Sequence, residues 1–192
     1  MKYIILILCL FSCKDSYEIK EEMANLIYNA NSFFTNQSGL LVPRNNWTGE
    51  VKFTESCRYI TDDPDNQGDW IKLWGIRKNI YPWDLYKNGI YLVWSYKPST
   101  DKIRMYYYLH DKDGNHSLGI PPDVVTVNIG SWINIDVANY KENFVVHIGE
   151  SSWNIDKTSN NILDFKQGYS LQPWGGGSET IPHQRVVEFN KF

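Results

Sequence analysis

The sequence predicts an all-β protein, an antiparallel sandwich or barrel, on three observations. From Glu50 onward, apolar and polar residues alternate in short stretches, as Val51 and Phe53 do with Lys52 and Thr54. That is the period of a strand with one buried face. Turn residues divide these stretches, among them Asn88-Gly89, Pro98-Ser99, Asp113-Gly114, Pro121-Pro122 and Gly175-Gly176-Gly177. No long helical pattern lies between them, which argues against parallel βαβ architecture. The 192 residues, 42% hydrophobic and 21% charged, fit one ordinary globular domain.

Taken in order, Met1-Lys2 precedes an uncharged apolar run from Tyr3 to Ser12. The run is about half of the ~20 residues that span a bilayer, so it reads as a secretory signal. Leu10-Phe11-Ser12-Cys13 resembles a bacterial lipoprotein box. The resemblance implies cleavage before Cys13, acylation of Cys13 with palmitate-type chains, and a place in the bacterial cell envelope, at the outer membrane or cell surface. The lipid anchor would be the only membrane contact. Loss of residues 1–12 removes one charge, Lys2, and takes the net charge from −3 to −4. Cys9 would go with the signal, leaving Cys57 as a small core residue and no intramolecular disulfide.

Residues 14–46 read as a tether or short extension, with Tyr17–Ile27 open to a short helix. The folded domain is expected over 47–192. Strands are expected near 51–55, 69–76, 90–97, 102–110, 123–129, 132–138, 143–148, 167–173 and 185–191. Lys112-Asp113-Gly114-Asn115 is a hairpin signal, because Asp-Gly suits the turns that match strand twist.

Charge and aromatic content narrow the function. With 19 basic and 22 acidic residues, the chain lacks the excess of cations that a general nucleic-acid binder needs. Eight Trp, 13 Tyr and 8 Phe make 29 aromatics, 15% of the chain. Alternation splits Lys102–His110 into Ile103, Met105, Tyr107 and Leu109 on one side and Arg104, Tyr106, Tyr108 and His110 on the other. It splits Asp69–Gly75 into Ile71 and Leu73 against Trp70, Lys72 and Trp74. The second set of each reads either as a cationic, aromatic sugar-binding face or as an ordinary solvated one. Sugar rings stack on Trp and Tyr, and cations serve carboxylates.

Other constellations are weaker. The four histidines, His110, His116, His147 and His183, have no zinc spacing. His183, after Pro182, either orients the glycine-rich turn or reaches the groove. Asp63, Asp65 and Asp69 lie in an acidic loop that is either solvated or a structural calcium site; no other metal and no organic cofactor is expected. No Gly-x-Ser-x-Gly elbow or phosphate-binding Gly-Lys-Ser/Thr segment occurs.

The segment Leu171 to Phe189, with Trp174-Gly175-Gly176-Gly177-Ser178 and then Pro182, resembles the C-terminal end of alginate-lyase-like and glucuronan-lyase-like polysaccharide lyases. Asp69-Trp70-Ile71-Lys72-Leu73-Trp74-Gly75 is similar to the segment preceding their central sheet, and Ser131-Trp132-Ile133-Asn134-Ile135 resembles a strand common in concanavalin A-like jelly rolls. The resemblance implies such a jelly roll holding an acidic polysaccharide in the groove of one sheet, cleaved by β-elimination. A lyase needs a carboxylate neutraliser, a base and an acid. Arg104 or Lys72 would neutralise, and Tyr106, Tyr108 or His110 would move protons. Trp70, Trp74, Trp174 and His183 would line the substrate. A non-catalytic glycan-binding lipoprotein and a purely structural or adhesive one remain the alternatives.

Overall fold

The computed structural model describes residues 24–28, 43–79, 87–118, 124–171 and 183–190. The signal, Cys13 and Trp174 lie outside them. Twelve strands are present among the described residues: β1 Ala24–Tyr28, β2 Asn46–Phe53, β3 Ile71–Arg77, β4 Gly89–Lys97, β5 Lys102–His110, β6 His116–Leu118, β7 Val125–Asn128, β8 Trp132–Asn139, β9 Asn143–Ile148, β10 Ser151–Asp156, β11 Tyr169–Leu171 and β12 Arg185–Asn190. Sheet I runs β1-β12-β2-β8-β9-β10, and sheet II runs β11-β3-β4-β5-β6 with β7 also on β5. Every pairing is antiparallel. The all-β antiparallel sandwich that the alternation predicts is the fold observed.

The core lies between the sheets, where β-branched and aromatic residues fill the inward positions. Val51, Phe53, Val137, Phe144, Val146 and Phe189 come from sheet I, and Ile76, Trp94, Ile103 and Met105 from sheet II. Trp94 is its centre. Its ring lies 5.1 Å from that of Phe53, 5.7 Å from Tyr28 and 6.3 Å from Tyr59. The Tyr28 hydroxyl donates across the core to the Lys72 carbonyl at 3.0 Å. That contact explains the first departure from expectation. Ala24–Tyr28 is a strand on β12 rather than the end of a helix, because Tyr28 belongs to the core. The second departure is β10, which the sequence reading passed over.

The Asp-Gly hairpin forms as expected. His110 pairs with His116 and Tyr108 with Leu118 across a loop. One Asp111 carboxylate oxygen accepts the amides of Asp113 and Asn115 at 2.8 and 2.9 Å, and Gly114 takes φ +90°. That left-handed geometry suits glycine.

Lys157, just past β10, has 0% exposure. Its ammonium donates to Asn139 Oδ1 at 2.7 Å and to the carbonyls of Phe165 at 3.1 Å, Lys141 at 3.2 Å and Tyr140. The rings of Phe165 and Phe144 lie 3.8 and 4.6 Å from it. The lysine therefore ties the 157–165 loop to the β8–β9 turn. Burial pushes its pKa down to about 8.

A bulge in β3 decides what the site contains. Lys72 faces Val93 on β4, but Gly75 faces Tyr91. Three steps along β3 thus match two along β4, so one residue is extra and the alternation changes phase. Leu73 and Trp74 are both buried as a result. Gly75 permits the close approach: a Cβ there would stand 2.1 Å from the Ile90 carbonyl oxygen.

Candidate functional site: one face of sheet II

The face of sheet II turned from the core is ordered by strand register. Arg77, Gly89, His110 and His116 form one row across β3, β4, β5 and β6. Gly75, Tyr91 and Tyr108 form the next, then Lys72, Val93 and Tyr106, then Ser95, Arg104 and Thr126. Side chains directly opposite on neighbouring strands are within reach of one another.

Two cation–aromatic groups result. The Lys72 ammonium lies 5.0 Å from the Tyr91 ring and 5.6 Å from the Tyr108 ring. Tyr108 stacks on His116 at 5.5 Å and meets His110 edge-on at 5.1 Å, and Tyr91 meets His110 at 5.6 Å. One ammonium, two phenols and two imidazoles converge there, with Tyr91 and His110 buried and Lys72, Tyr108 and His116 keeping accessible surface. In the second group the Arg104 guanidinium sits 5.1 Å over Trp70, and its Nε donates to Ser95 Oγ at 3.0 Å. Burial pushes the Lys72 pKa down to about 8 and raises that of the Tyr108 phenol.

Of the residues expected at the site, Lys72, Tyr108 and His110 come together, and Arg104 and Trp70 form the adjoining pair. Three others are held in other contacts. Trp74 is a correction: it is 4% exposed and packs in the core, stacked on Trp47 at 5.2 Å and edge-on to Phe189 at 3.9 Å. The bulge carries it there. Tyr106, in the Lys72 row, is 2% exposed and packs against Tyr107 and Trp153, at 4.3 and 5.4 Å, so it presents almost no surface to a ligand. His183 donates from Nε2 to the Ser56 carbonyl at 2.9 Å, which anchors the approach to β12. The acidic loop holds a short turn. Asp63 caps the 3-10 turn Pro64–Gly68 by accepting the Asp65 amide at 3.0 Å. Among the described residues, no three acidic, His or Cys side chains group closely enough to hold a metal ion.

Tyr91 and His116 are members that the sequence reading missed. Tyr91 alternates with Ile90 and Leu92, and the Asp-Gly hairpin puts His116 opposite His110. Both signals were present in the sequence.

The electrostatics of the sheet are one-sided. Its six strands carry Lys72, Arg77, Lys97, Lys102 and Arg104 and no Asp or Glu. Such a concentration of one sign creates a local field that the net charge of −3 conceals. The class defined is an antiparallel β-sandwich with a cationic, aromatic sheet face.

No family model and no curated protein matches the chain. Solved structures resemble it at low identity. An alginate lyase from Klebsiella pneumoniae has 9% identity and a TM-score of 0.49, covering 76% of this chain and 57% of its own. The polysaccharide lyase family 18 protein aly-SJ02 has 12% identity and a TM-score of 0.49, covering 89% and 86%. A Bacteroides ovatus family 16 glycoside hydrolase, solved with a mixed-linkage glucan product, has 9% identity and a TM-score of 0.47, covering 88% and 79%. Likenesses this distant leave the chemistry to the chain's own side chains.

Proposed function

We propose that this face of sheet II binds a uronate-containing polysaccharide and cleaves it by β-elimination. The observation that carries the proposal is the convergence of Lys72, Tyr91, Tyr108, His110 and His116 on a sheet whose strands hold no carboxylate. Glycoside hydrolysis ordinarily uses two carboxyl groups, and these strands supply neither. β-Elimination needs instead a cation, a base and an acid.

Lys72 neutralises the uronate carboxylate and so acidifies the proton at C5. The exposed His116 imidazole takes that proton. The electron pair forms the C4–C5 double bond as the C4–O bond breaks, and the leaving oxygen takes the Tyr108 phenolic proton. Burial raises the Tyr108 pKa, which keeps the phenol protonated and available as the acid. Arg104 over Trp70 offers a cation and a stacking surface for a neighbouring sugar.

The test is incubation with alginate, glucuronan and other uronates while following ultraviolet absorbance of the unsaturated product. The expected result is turnover that Lys72→Met reduces by about 10–100-fold, the effect of losing a charge-assisted contact. Glycan retention without any absorbance change sinks the lyase reading and leaves a carbohydrate-binding protein. Neither signal across a broad glycan set overturns both.

A further inference from the structure

A polar cleft of about 530 Å³ lies away from the Lys72 group, lined by Pro43, Arg44, Asn45, Asn46, Thr48 and Gln167. Its volume is within the ~300–1,000 Å³ range of small-molecule sites. Its walls are fixed. The Arg44 amide donates to the Gly168 carbonyl at 2.8 Å, and the Gly168 amide donates to Asn45 Oδ1 at 2.8 Å. Pro43 bridges to Tyr169 of β11, and the Asn139 amide donates to the Asn45 carbonyl at 2.7 Å. The cleft thus joins the start of β2 to the segment before β11.

Its one cation is held ready. The Arg44 guanidinium lies 4.0 Å over the Trp47 ring. Trp47 stacks in turn on Trp74 and donates its indole N–H to the Gly75 carbonyl at 3.1 Å. Arg44 is therefore seated on a rigid aromatic stack that reaches into the core. It has no ion-pair partner among the described residues. Among the described residues no carboxylate offsets the cost of partly burying this guanidinium, and an anionic ligand would do so. Burial lowers the Arg44 pKa, in keeping with that cost. The side-chain amides of Asn45, Asn46 and Gln167 suit a ligand rich in hydroxyl groups, while the Thr48 hydroxyl is already donated to Asp136 at 2.6 Å, which leaves Arg44 as the end of the cleft that takes an anion.

We propose that the Arg44 cleft is a second binding site, one that takes the carboxylate of a sugar acid and hydrogen-bonds its ring hydroxyls. The choice of a sugar acid rests on the function proposed above; the anion follows from Arg44 itself. The test is titration of the full protein with sodium glucuronate, glucose and acetate, followed by calorimetry and Trp fluorescence. Glucuronate is expected to bind about tenfold or more tightly than glucose or acetate. Arg44→Gln and Asn46→Asp, the second placing a carboxylate on the rim, should each weaken it by about tenfold, and should do so also in the Lys72→Met background, where sheet II no longer competes for the carboxylate. Thermal unfolding checks that each variant is folded, and Asn46→Asp serves if Arg44→Gln is not. Unchanged affinity in the folded rim variants overturns the proposal, as does no glucuronate binding or acetate binding equally well. Loss in Lys72→Met alone assigns the sugar to sheet II, so this inference fails while the proposed function stands.

Discussion

The two sheets treat charge in opposite ways. Sheet I carries Glu50, Asp136, Asp156 and Glu188 against Lys52 and Arg185. Its outward carboxylates are occupied: Lys52 pairs with Glu188, Thr48 donates to Asp136 at 2.6 Å, and Asn190 donates to Glu50 at 3.0 Å. The strands of sheet II hold five cations and no acid, and two of those cations rest on aromatic rings instead. A sheet whose charges answer each other has little left for a ligand. Net charge alone, at −3, does not show how unevenly the strands of the two sheets divide the charged residues.

The largest effect that sharpens this contrast separates two tryptophans four residues apart. Trp74→Ala opens the core beneath Trp47 and Phe189 and should lower stability by about 3–5 kcal/mol. Trp70→Ala removes a half-buried ring from beside Arg104 and should weaken glycan retention more than stability. Chemical denaturation and retention assays read the two together. Equal stability losses would mean that the bulge does not separate core from face.

A smaller effect is the pH dependence of binding. Burial depresses the Lys72 pKa from its ordinary 10.5 to about 8. The ammonium is present below that value and lost above it, so affinity for an acidic glycan should fall as pH rises through 8. Protonation drops about tenfold between pH 7 and 9 for such a group. Stability moves the other way on account of the same residue. Between about 8 and 10.5 the unfolded chain holds the proton that the folded one has released, so rising pH favours folding. Affinity that is flat to pH 9.5 would remove Lys72 from the binding contact.

The smallest expected effect lies on sheet I. Glu188→Gln breaks a partly exposed ion pair and should change stability by less than about 1 kcal/mol, with glycan retention unaltered. A clear loss of retention would show that binding is not confined to sheet II.

The strands of sheet II and their turns were legible because alternation and Gly or Pro punctuation are local. So was the adjacency of Lys72, Tyr108 and His110, once sheet pairing is assumed. Trp74 was misplaced because alternation counts residues, and one extra residue in β3 reverses every later side. The glycine following it was the available sign, since glycine within a strand often marks a bulge or a close backbone approach. β1 was obscured because its place depends on Tyr28 reaching Trp94, a contact spanning 66 residues. β10 reads Ser151-Ser152-Trp153-Asn154-Ile155-Asp156, where only Trp153 and Ile155 show the inward side. The Arg44 cleft was not legible at all, because its walls come from segments more than 120 residues apart.

Lys157 occupies a place that, in many loop-rich proteins, falls to a bound ion. Oxygens from three backbone carbonyls and one amide surround its ammonium between two phenyl rings. Being covalently part of the chain, this cation needs no supply from the medium, and no chelator can strip it. The grip on the 157–165 loop therefore forms with the fold itself, and it is released by loss of a proton or by opening of the fold.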